Sequence, residues 1–454
     1  MPATVLQRTS TFCSDLTHAA AQPLPDAVAH AARRSLFNVL GTTVGAALSP
    51  AVEVMVDTTR MLQVSGTVPL LGRRETVDRH WGALITGTAG HYDDFDDTHL
   101  ATVIHPGAAT LAALVALHDH AGVTGEHYLR AFAIGCEAQL RIGNAISPNH
   151  YDRGWHITGT CGVFGAAVAA GVILGFDATR MEAALAAAST MTIGHREAFG
   201  SMTKPFHAGK AGANGLAAAL LAADGYAGFA DPLGDTGVLT MFADAVDERE
   251  LFGSWSHDWE IERNAFKPYP CGIVAHPAID AAIDAGNRVA DANQIVSIEV
   301  RCHPLVPELM GIEQPKDGLQ ARFSARHGVA VGLLDHSVGL PQFSDGRATS
   351  ADAARLRAVT TLSPTSGCDR DAATVIVQTV GGAEVTAHVA HARGSLARPL
   401  TDAELLAKVA GLTEPILGSG SGATILAAVD NIGTAAGLGG VLDATRPAND
   451  GSLA

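Results

Sequence analysis

The sequence predicts a mainly α-helical protein with a large all-helical domain and a smaller inserted α+β domain. Three observations predict this fold. Ala-rich segments run through residues 20–265, and their apolar residues recur three and four positions apart, which is the helical period. Alternation of apolar and polar residues, typical of half-buried strands, begins near residue 290. Helical signals then return, so the predicted domains are 1–266 with 399–454, and 267–398.

Helix-capping residues support the prediction for the first region. Asp26, Thr124 and Asp177 each precede a run with the helical period. Their side-chain oxygens can accept hydrogen bonds from the free amides of a first helical turn. The most apolar run, residues 161–176, is predicted to be a buried core helix. It is shorter than the roughly 20 residues that span a bilayer, so no membrane segment is expected.

Strand signals mark the inserted α+β domain. Residues 294–305 alternate apolar and polar side chains, and residues 373–390 contain two alternating runs separated by paired glycines. Paired glycines accept the positive φ angles of tight turns, so the second stretch predicts a β-hairpin. Helical stretches that begin near Arg322 and Ser350 lie between these strands.

A capping-box pattern marks the return to helix after the α+β domain. Thr401 and Glu404 stand three positions apart ahead of the last apolar run, a spacing that lets each side chain accept from the other residue's amide. We therefore expect residues 399–454 to be helical and to rejoin the first domain.

Length and cysteine content narrow the class of protein. At 454 residues with 47% apolar side chains, the chain can bury the cores of two or three domains. Its six cysteines lack the close spacing of zinc or iron–sulfur ligands, which favours a reducing compartment. The first residues also lack the pattern of a secretion signal. The sequence therefore predicts a cytoplasmic protein.

The charge argues against nucleic acid as a partner. The formal net charge is −16, without a Lys/Arg cluster, and this charge would repel phosphate backbones. An anionic ligand would need a local group of Lys, Arg, His and helix N-termini. Each cation in apolar surroundings is therefore a candidate ligand-binding residue.

The densest group of chemically active residues spans 91–108 and reads HYDDFDDTHLATVIHPGA. A histidine beside a carboxylate has its tautomer fixed and its pKa raised toward neutral pH, which suits acid/base catalysis. Asp94, Thr98 and His105 are the best candidates. The alternative interpretation is a helix end followed by a solvated loop.

His156 stands immediately before a Thr- and Gly-rich run, GWHITGTCGVFGA, that begins a predicted helix. The free amides and the dipole of a helix start attract a carboxylate. A histidine at this position therefore suits an anionic ligand, and the alternative is a capping or core histidine.

Two lysines lie outside ordinary helical surface positions. Lys204 precedes Pro205, which disfavours helix at the residue before it, so Lys204 is predicted in a loop or at a helix start. Lys210 fits a solvent-facing lysine better. Lys267 lies on a two-proline connection at the predicted domain boundary, and clefts between domains are favoured ligand sites. The alternative for this connection is a rigid linker.

The sequences of these motifs and their order resemble those of the MmgE/PrpD family over nearly the whole chain. The motifs are RSLFNVLGTTVGAA, DFDDT with HPG, GCEAQLR, GWHITGTCGVFGA, FGSMTKPFHAGKAGANG, KPYPCG and RGSLARPLTDAEL. The family includes 2-methylcitrate dehydratase, cis-aconitate decarboxylase and iminodisuccinate epimerase. The resemblance therefore implies an enzyme that acts on a small di- or tricarboxylic acid.

The resemblance also implies an architecture and a site. It implies a helical domain completed by the C-terminus, an inserted α+β domain, a homodimer, and a site between the domains that uses no metal ion and no organic cofactor. We expect four catalytic residues: His105, Asp94, His156 and Lys204. We expect Thr98 and Lys267 to bind the substrate. In this assignment His105, supported by Asp94, moves a proton and the lysines hold carboxylates.

Some positions depart from the decarboxylase-like pattern. The loop between Thr98 and His105 is one residue longer, residues 269–272 read YPCG, and Leu309 and Met310 stand where a tyrosine is expected. These departures favour a hydro-lyase of the 2-methylcitrate dehydratase type. An iminodisuccinate epimerase-like isomerase comes second, and a cis-aconitate decarboxylase-like enzyme third.

Three other classes of protein stay open at this point. Residues 93–97 fit the Asp-rich motif of metal-dependent diphosphate enzymes, although only 5% of residues are aromatic. Ser201 and Lys204 fit the Ser-x-x-Lys pattern of serine acylases, without its companion motifs. The third class is a protein that binds an organic acid without turning it over.

Overall fold

Helices make up most of the structure, which confirms the mainly α prediction. The structure is a computed structural model, and it describes residues 8–253, 255 and 257–448. The helices of the first region are α1 (Arg8–Ala20), α2 (Asp26–Gly45), α3 (Pro50–Met61), α4 (Arg79–Tyr92), α5 (Pro106–Ala116), α6 (Gly125–Ile146), α7 (Asn149–Asp152), α8 (Ile157–Ile173), α9 (Ala178–Ser189), α10 (Thr203–Ala223), α11 (Val238–Phe242) and α12 (Glu248–Phe252).

The most apolar helices lie at the centre of this region. Every residue of α5 is buried, and α8 is buried along nearly its whole length. Helix α8 packs against α5, α6 and α10. The buried helix predicted at residues 161–176 is confirmed as α8, with both of its ends shifted toward the N-terminus.

Two of the three predicted caps are confirmed. The Thr124 side chain accepts from the amide of His127 at the start of α6, and Asp177 accepts from the amide of Arg180 at the start of α9. The prediction for Asp26 is wrong, because α2 begins at Asp26 itself and its side chain makes no capping hydrogen bond. Its carboxylate instead lies in the first turn, where it interacts favourably with the helix dipole.

A close crossing of α4 and α10 fixes the positions of two site-bearing segments. A Cβ atom at Gly209 would lie 2.2 Å from the carbonyl oxygen of Leu84 and 2.2 Å from the hydroxyl of Thr88. The two backbones therefore approach as closely as only glycine allows. The start of α10 lies beside the end of α4, since Nζ of Lys204 is 2.6 Å from Oδ1 of Asp94.

Gly209→Ala is therefore expected to destabilise the protein by about 1–3 kcal/mol, since the added methyl group has no space. Gly411→Ala is the matched control, because a Cβ at this helical position meets no atom within 4 Å. The control should gain about 0.5–1 kcal/mol, since alanine restricts the unfolded chain more than glycine does. Urea unfolding of both variants checks the pair, and equal effects would contradict the close crossing.

Two short strand pairs interrupt the region that the sequence predicts as all-helical. Strands β1 (Val68–Pro69) and β2 (Thr76–Val77) form one antiparallel pair. Strand β3 (Asp97–His99) pairs antiparallel with β4 (Asn264–Phe266), far away in the sequence. The purely helical prediction is wrong here, because strands this short carry too little alternation to be recognised.

The predicted strands of the second region are confirmed. Strand β5 (Ile295–Cys302) lies within the first alternating stretch, and β7 (Ala373–Thr379) and β8 (Glu384–Val389) form the hairpin. Gly382 in its turn has a φ of 79°, as the paired glycines predict. The alternation did not reveal a fourth strand, β6 (Thr360–Pro364).

These strands form one sheet covered by helices. The strand order is β6-β5-β7-β8; β5 and β6 are parallel and the other pairs are antiparallel. Helix α13 packs on β7 and β8, and α16 packs on α13. The helices of this region are α13 (His276–Gly286), α14 (Leu305–Leu309), α15 (Gly318–Ala321), α16 (Ala325–Asp335), α17 (Asp345–Ala348) and α18 (Ala351–Ala358).

The C-terminal helices return to the first region. They are α19 (Asp402–Leu417), α20 (Ser421–Asp430) and α21 (Gly439–Ala444). Both hydrogen bonds of the predicted capping box between Thr401 and Glu404 are present. Helix α19 packs against α2.

Two large clusters of buried apolar side chains form the cores. The first draws on residues 12–266 and again on residues 400–442, whereas the second draws on residues 269–387. The exact domain boundaries stay a prediction.

Within the described residues, no single helix has both the length and the apolar composition that a bilayer crossing requires. Helices α2 and α3 have this length and composition only when they are taken together, and they are bent by 74° relative to each other.

Candidate active site

All six predicted site residues line one small cavity, which we call the acid cavity: Asp94, Thr98, His105, His156, Lys204 and Lys267. The cavity offers about 50 Å³ to the centres of water molecules, which is room for a few waters. Residues from the second region, among them Gly272, Ile273 and Met310, complete its lining.

The β3–β4 pair brings distant segments of the chain to this cavity. Asp97 lies opposite Phe266 in the register, so Lys267, the residue after β4, reaches the loop that precedes β3. Helix α4 ends at Tyr92, and the next turn places Asp94 in the left-handed region with a φ of 51°. Backbone strain of this kind is concentrated at functional sites.

Asp94 joins the two lysines at the centre of the acid cavity. Its Oδ1 atom lies 2.6 Å from Nζ of Lys204 and 2.9 Å from Nζ of Lys267. Lys267 also donates to the carbonyl oxygen of Asp94 at 3.0 Å. Lys204 is only 4% exposed and Lys267 only 1% exposed. Two buried ammonium groups thus share one carboxylate, which leaves positive charge available to an anion.

Burial and charge act in opposite directions on this cluster. Burial alone would raise the pKa of Asp94, but Lys204 and Lys267 outweigh it and hold that pKa well below its ordinary value. Burial lowers the pKa of Lys204, although Asp94 partly offsets the effect. Asp94 is therefore ionised at neutral pH.

Lys204 lies near the start of α10, as the Lys-Pro dipeptide predicts. Its ammonium group lies 5.5 Å from the ring centre of Phe199 and 5.4 Å from that of Phe323. Phe199 belongs to the first region of the chain and Phe323 to the second. Both rings lie near the cation and limit its contact with water.

The contacts of His105 indicate which ring nitrogen carries the proton. Nδ1 lies 2.9 Å from the carbonyl oxygen of Asp97 and 3.1 Å from the hydroxyl of Thr98. Because a carbonyl oxygen only accepts hydrogen bonds, Nδ1 is the donor. Nε2 then carries a free lone pair, and it lies 3.9 Å from Oδ1 of Asp94. The orienting contact differs from the expected one, since Asp97 and Thr98, rather than Asp94, hold the ring.

His105 is neutral in this setting. Burial lowers the pKa of His105 well below its ordinary value, Asp96 raises it in part, and Lys267 lowers it further. Asp96 in turn lies 2.8 Å from Nδ1 of His91. Burial would raise the pKa of Asp96, but His91, which is hydrogen-bonded to it, outweighs burial and holds that pKa below its ordinary value, so the carboxylate is ionised.

His156 precedes the first residue of α8, as its sequence position predicts, and its side chain makes no capping hydrogen bond. Its Nδ1 lies 3.0 Å from Nδ1 of His207. The two rings can share only one proton at this contact. Burial, followed by the charge of Lys204, lowers the pKa of His156 well below its ordinary value, and burial lowers that of His207 to about 4. Both rings are therefore neutral near pH 7.

The four aspartates of residues 93–97 have different partners. Asp93 pairs with Arg322 at 2.7 Å, whereas Asp97 accepts from the amide side chain of Asn264 at 2.8 Å. Asp94 and Asp96 are occupied by lysines and by His91. A metal-dependent diphosphate enzyme needs carboxylates that converge on shared ions, so this geometry argues against that class.

Four side chains of this cluster carry atom types that ligate metal ions. One ligand atom from each of His91, Asp94, Asp96 and His105 lies within 4.8 Å of the others. The two ammonium groups on Asp94 oppose a further positive charge at this place. We therefore assign the cluster to proton transfer rather than to a metal.

The serine acylase class also lacks geometric support. Ser201 is exposed and its hydroxyl donates to the carbonyl oxygen of Ala198 at 2.6 Å. Lys204 is bound to Asp94 instead. An acylase lysine has to lie within hydrogen-bond reach of its serine.

Several residues of the site were not among the predicted ones. His91 belongs to the same sequence cluster and could have been chosen from its spacing to Asp96. Tyr151 lines the acid cavity. Lys408 of α19 donates to the carbonyl oxygen of Phe95 at 2.6 Å and so holds the acidic loop from outside. Lys408 had no signal in the sequence, because it reads as an ordinary lysine of an amphipathic helix.

Comparisons with known proteins give family matches over most of this chain. Residues 10–248 match the family model of the MmgE/PrpD N-terminal domain, and residues 269–433 match that of the MmgE/PrpD C-terminal domain. Similar curated proteins include cis-aconitate decarboxylase from Homo sapiens, 28% identical over 277 residues, and from Mus musculus, 29% identical over 280 residues. A third is the cis-aconitate decarboxylase-like protein oryM from Aspergillus oryzae, 25% identical over 445 residues.

The extent of these matches differs. Each mammalian match covers 58% of this chain, with 57% of the human protein and 56% of the mouse protein. The chain thus matches little more than half the length of these two relatives. The match to the Aspergillus protein covers 90% of this chain and 91% of that protein.

Proposed function

The chain belongs to the MmgE/PrpD family, and on this premise we propose that it is a lyase that acts on a small di- or tricarboxylic acid. The reaction takes place in the acid cavity, between the helical domain and the inserted α+β domain. The proposed reaction uses only groups of this protein, and no metal ion or organic cofactor takes part in it.

One observation carries the proposal. Two buried ammonium groups, from Lys204 and Lys267, meet one carboxylate oxygen of Asp94 beside the free Nε2 of His105. The lysines supply binding for a substrate carboxylate, and the histidine supplies a base within reach of the adjacent carbon. A polycarboxylate offers both the anion and the acidic C–H bond that this arrangement fits.

The first step is proton abstraction by His105. Nε2 takes a proton from the carbon next to a carboxylate, and the electron pair of the broken C–H bond moves onto that carboxylate. Lys204 and Lys267 stabilise the charge that develops there, in a cavity with little water. The carbonyl oxygen of Asp97 and the hydroxyl of Thr98 keep the ring in the required tautomer.

The second step needs an acid. In a dehydration, the protonated ring of His105 returns its proton to the leaving hydroxyl group, which departs as water while the double bond forms, and the neutral ring of His156 donates a hydrogen bond from Nε2 to that oxygen. His207 supports this role when its Nδ1–H donates to Nδ1 of His156, since His156 then carries its proton on Nε2.

The neutral state of His105 favours a dehydratase of the 2-methylcitrate type, because that reaction begins with a base. Decarboxylation of cis-aconitate is the second candidate. The names of the relatives favour it, and it uses the same lysines, while a proton moves to carbon instead of away from it. An iminodisuccinate epimerase-like isomerase would remove and return a proton at the same carbon.

The dependence of kcat/KM on pH should reflect His105 and Lys204 in the free enzyme. His105 works as a neutral base with a pKa well below 6.5, so the acid limb should lie below pH 6.5. Lys204 works as a cation, and its pKa is lowered. As the pH rises, the alkaline loss of activity should therefore have its midpoint below pH 10.5. Initial rates measured with a fully ionised substrate check this. A rate that rises steadily toward about pH 5 would contradict the base role of His105.

Product analysis tests the proposed reaction. The purified protein is incubated separately with 2-methylcitrate, citrate, cis-aconitate and iminodisuccinate, and the products are identified by proton NMR. Loss of water identifies a dehydratase, loss of carbon dioxide identifies a decarboxylase, and inversion without loss identifies an epimerase. Failure to convert any polycarboxylate would overturn the proposal.

A further inference from the structure

One buried residue holds both ends of the short segment that carries His105. Asp97 lies on β3 and is 0% exposed. Its carbonyl oxygen accepts from Nδ1 of His105 at 2.9 Å, and its Oδ1 atom accepts from the amide of Gly107 at 3.2 Å. The main chain and the side chain of Asp97 therefore fix residues 105–107 at two separate points.

The carboxylate of Asp97 caps helix α5 in place of His105. His105 immediately precedes this helix, at the position whose side chain often accepts from the free amides of the first turn. The imidazole of His105 makes no such hydrogen bond. Asp97 accepts from the amide of Gly107 instead, and its negative charge interacts favourably with the helix dipole there. The ring of His105 is thereby left to serve the acid cavity.

The contact between this carboxylate and α5 requires a glycine. A Cβ atom at residue 107 would lie 2.7 Å from Oδ1 of Asp97 and 3.2 Å from its Oδ2. Any other side chain at this position would therefore push the carboxylate away from the helix. The Asp-Asp-Thr and His-Pro-Gly motifs thus form one structural unit around His105.

Asn264 of β4 holds the second oxygen of the same carboxylate. Its Nδ2 atom lies 2.8 Å from Oδ2 of Asp97 and 3.1 Å from the hydroxyl of Ser35. Its Oδ1 atom is buried and has no hydrogen-bond partner among the described residues. The reverse orientation of the amide would set its oxygen against a carboxylate oxygen, so Asp97 determines which way the amide points. Strands β3 and β4 and helix α5 therefore meet at one carboxylate.

A competing acceptor for Nδ1 of His105 lies close by. Oδ1 of Asp96 is 3.4 Å from this nitrogen, and it is a buried atom that accepts no hydrogen bond within the part of the chain that the structure describes. A small movement of the ring would exchange the carbonyl oxygen of Asp97 for this carboxylate oxygen. Nε2 would then point in another direction, and a direct hydrogen bond to a carboxylate would raise the pKa of His105.

We propose that the side chain of Asp97 is a positioning group for the proposed reaction. Anchored by Gly107 and Asn264, it fixes the carbonyl oxygen that binds Nδ1 of His105. The ring is thereby held away from Asp96, and Nε2 stays available to the substrate. This inference rests on the proposed function, in which His105 is the base, and it adds a residue that acts through His105 rather than on the substrate.

An exchange of the two paired side chains tests the inference. Asp97→Asn leaves one acceptor oxygen for the two donors, the amide of Gly107 and the side chain of Asn264. Asn264→Asp sets two buried carboxylates against each other. The double variant again contains one amide and one carboxylate, in exchanged places, and keeps an acceptor for Gly107. Asp224→Asn is the matched control, since Asp224 is exposed.

Three measurements follow these variants. They are steady-state kinetics with the acid that the protein converts, thermal unfolding, and titration of the histidine rings by NMR in protein labelled at histidine. The signal of His105 is identified by its loss in His105→Asn. The groups that also act on this titration are Asp94, Asp96, His91, Lys204 and Lys267, and none of them is changed in the variants.

Asp97→Asn and Asn264→Asp should each lower kcat by roughly 10- to 100-fold, since small displacements of a catalytic group have effects of this size. KM should stay within about threefold, because both lysines keep their contacts. In Asp97→Asn the pKa of His105 should rise by about one unit or more as Nδ1 turns to Asp96. The double variant should regain at least about tenfold in kcat and restore the titration. Asp224→Asn should stay within about twofold in kcat.

An unchanged kcat or an unchanged titration of His105 in Asp97→Asn would overturn the inference. A loss of kcat that the double variant does not reverse would overturn it as well. If Asp97→Asn fails to fold, Gly107→Ala replaces it, because the added methyl group displaces the same carboxylate, and an unchanged titration there is equally decisive. The titration needs no substrate, so it decides whether Asp97 positions His105 even if no acid is converted and the proposed function fails.

Discussion

His105→Asn should lower kcat by about 10²- to 10⁴-fold while the protein stays folded, since a positioned acid/base group contributes that much. The asparagine amide can still donate to the carbonyl oxygen of Asp97, which His105 Nδ1 contacts at 2.9 Å. The variant therefore removes the basic Nε2 and keeps a donor for the hydrogen bond that orients the imidazole ring in the unchanged protein. Steady-state kinetics and thermal unfolding measure the two effects separately.

His120→Asn is the matched control, because His120 is exposed and lies outside the acid cavity. It should leave kcat within about twofold, as exposed substitutions change little. An unchanged kcat in His105→Asn, with both proteins folded, would refute the assignment of the base.

Lys204→Met should raise KM by roughly 10- to 150-fold, since a hydrogen bond to a charged group contributes about 1.5–3 kcal/mol. Methionine has an apolar side chain of similar length, and it can occupy the space between Phe199 and Phe323. Asp94 keeps Lys267 as a partner at 2.9 Å, so no buried carboxylate is left unpaired. The loss should therefore fall on substrate binding rather than on folding.

Lys210→Met on the same helix is the control for charge. Lys210 is partly exposed, and within the described part of the chain no hydrogen bond or ion pair joins it to the acid cavity. Equal KM values for the two variants would mean that Lys204 has no direct role in holding the substrate. A large fall in melting temperature for Lys204→Met alone would assign it a structural role instead.

The periodic parts of the fold could be predicted from the sequence. The long helices, the strand β5 and the β7–β8 hairpin carry many repeats of the pattern, so local signals suffice. The β3–β4 pair could not be predicted, because its two strands are very short and lie far apart in the sequence. The predicted cap at Asp26 is wrong because α2 begins at Asp26 itself, one residue earlier than the pattern suggests.

The members of the candidate site were predictable, but their connections were not. The sequence pointed to Asp94, His105, Lys204 and Lys267, and the structure gathers them in one cavity. Their pairing depends on long-range packing, so the sequence could not indicate that Asp94 binds both lysines or that Asp97 orients His105. Lys408 was not predicted because its contact with the loop also depends on long-range packing.

The central claim is that His105 exchanges a proton with the carbon next to a carboxylate held by Lys204 and Lys267. The most direct test is proton NMR in deuterated water with the converted acid, run in the hydration direction for a dehydratase. We predict that the unchanged protein and Lys210→Met incorporate deuterium at that carbon. We predict that His105→Asn does not. Conversion of the acid without deuterium at that carbon, or incorporation that survives in His105→Asn, would contradict the account.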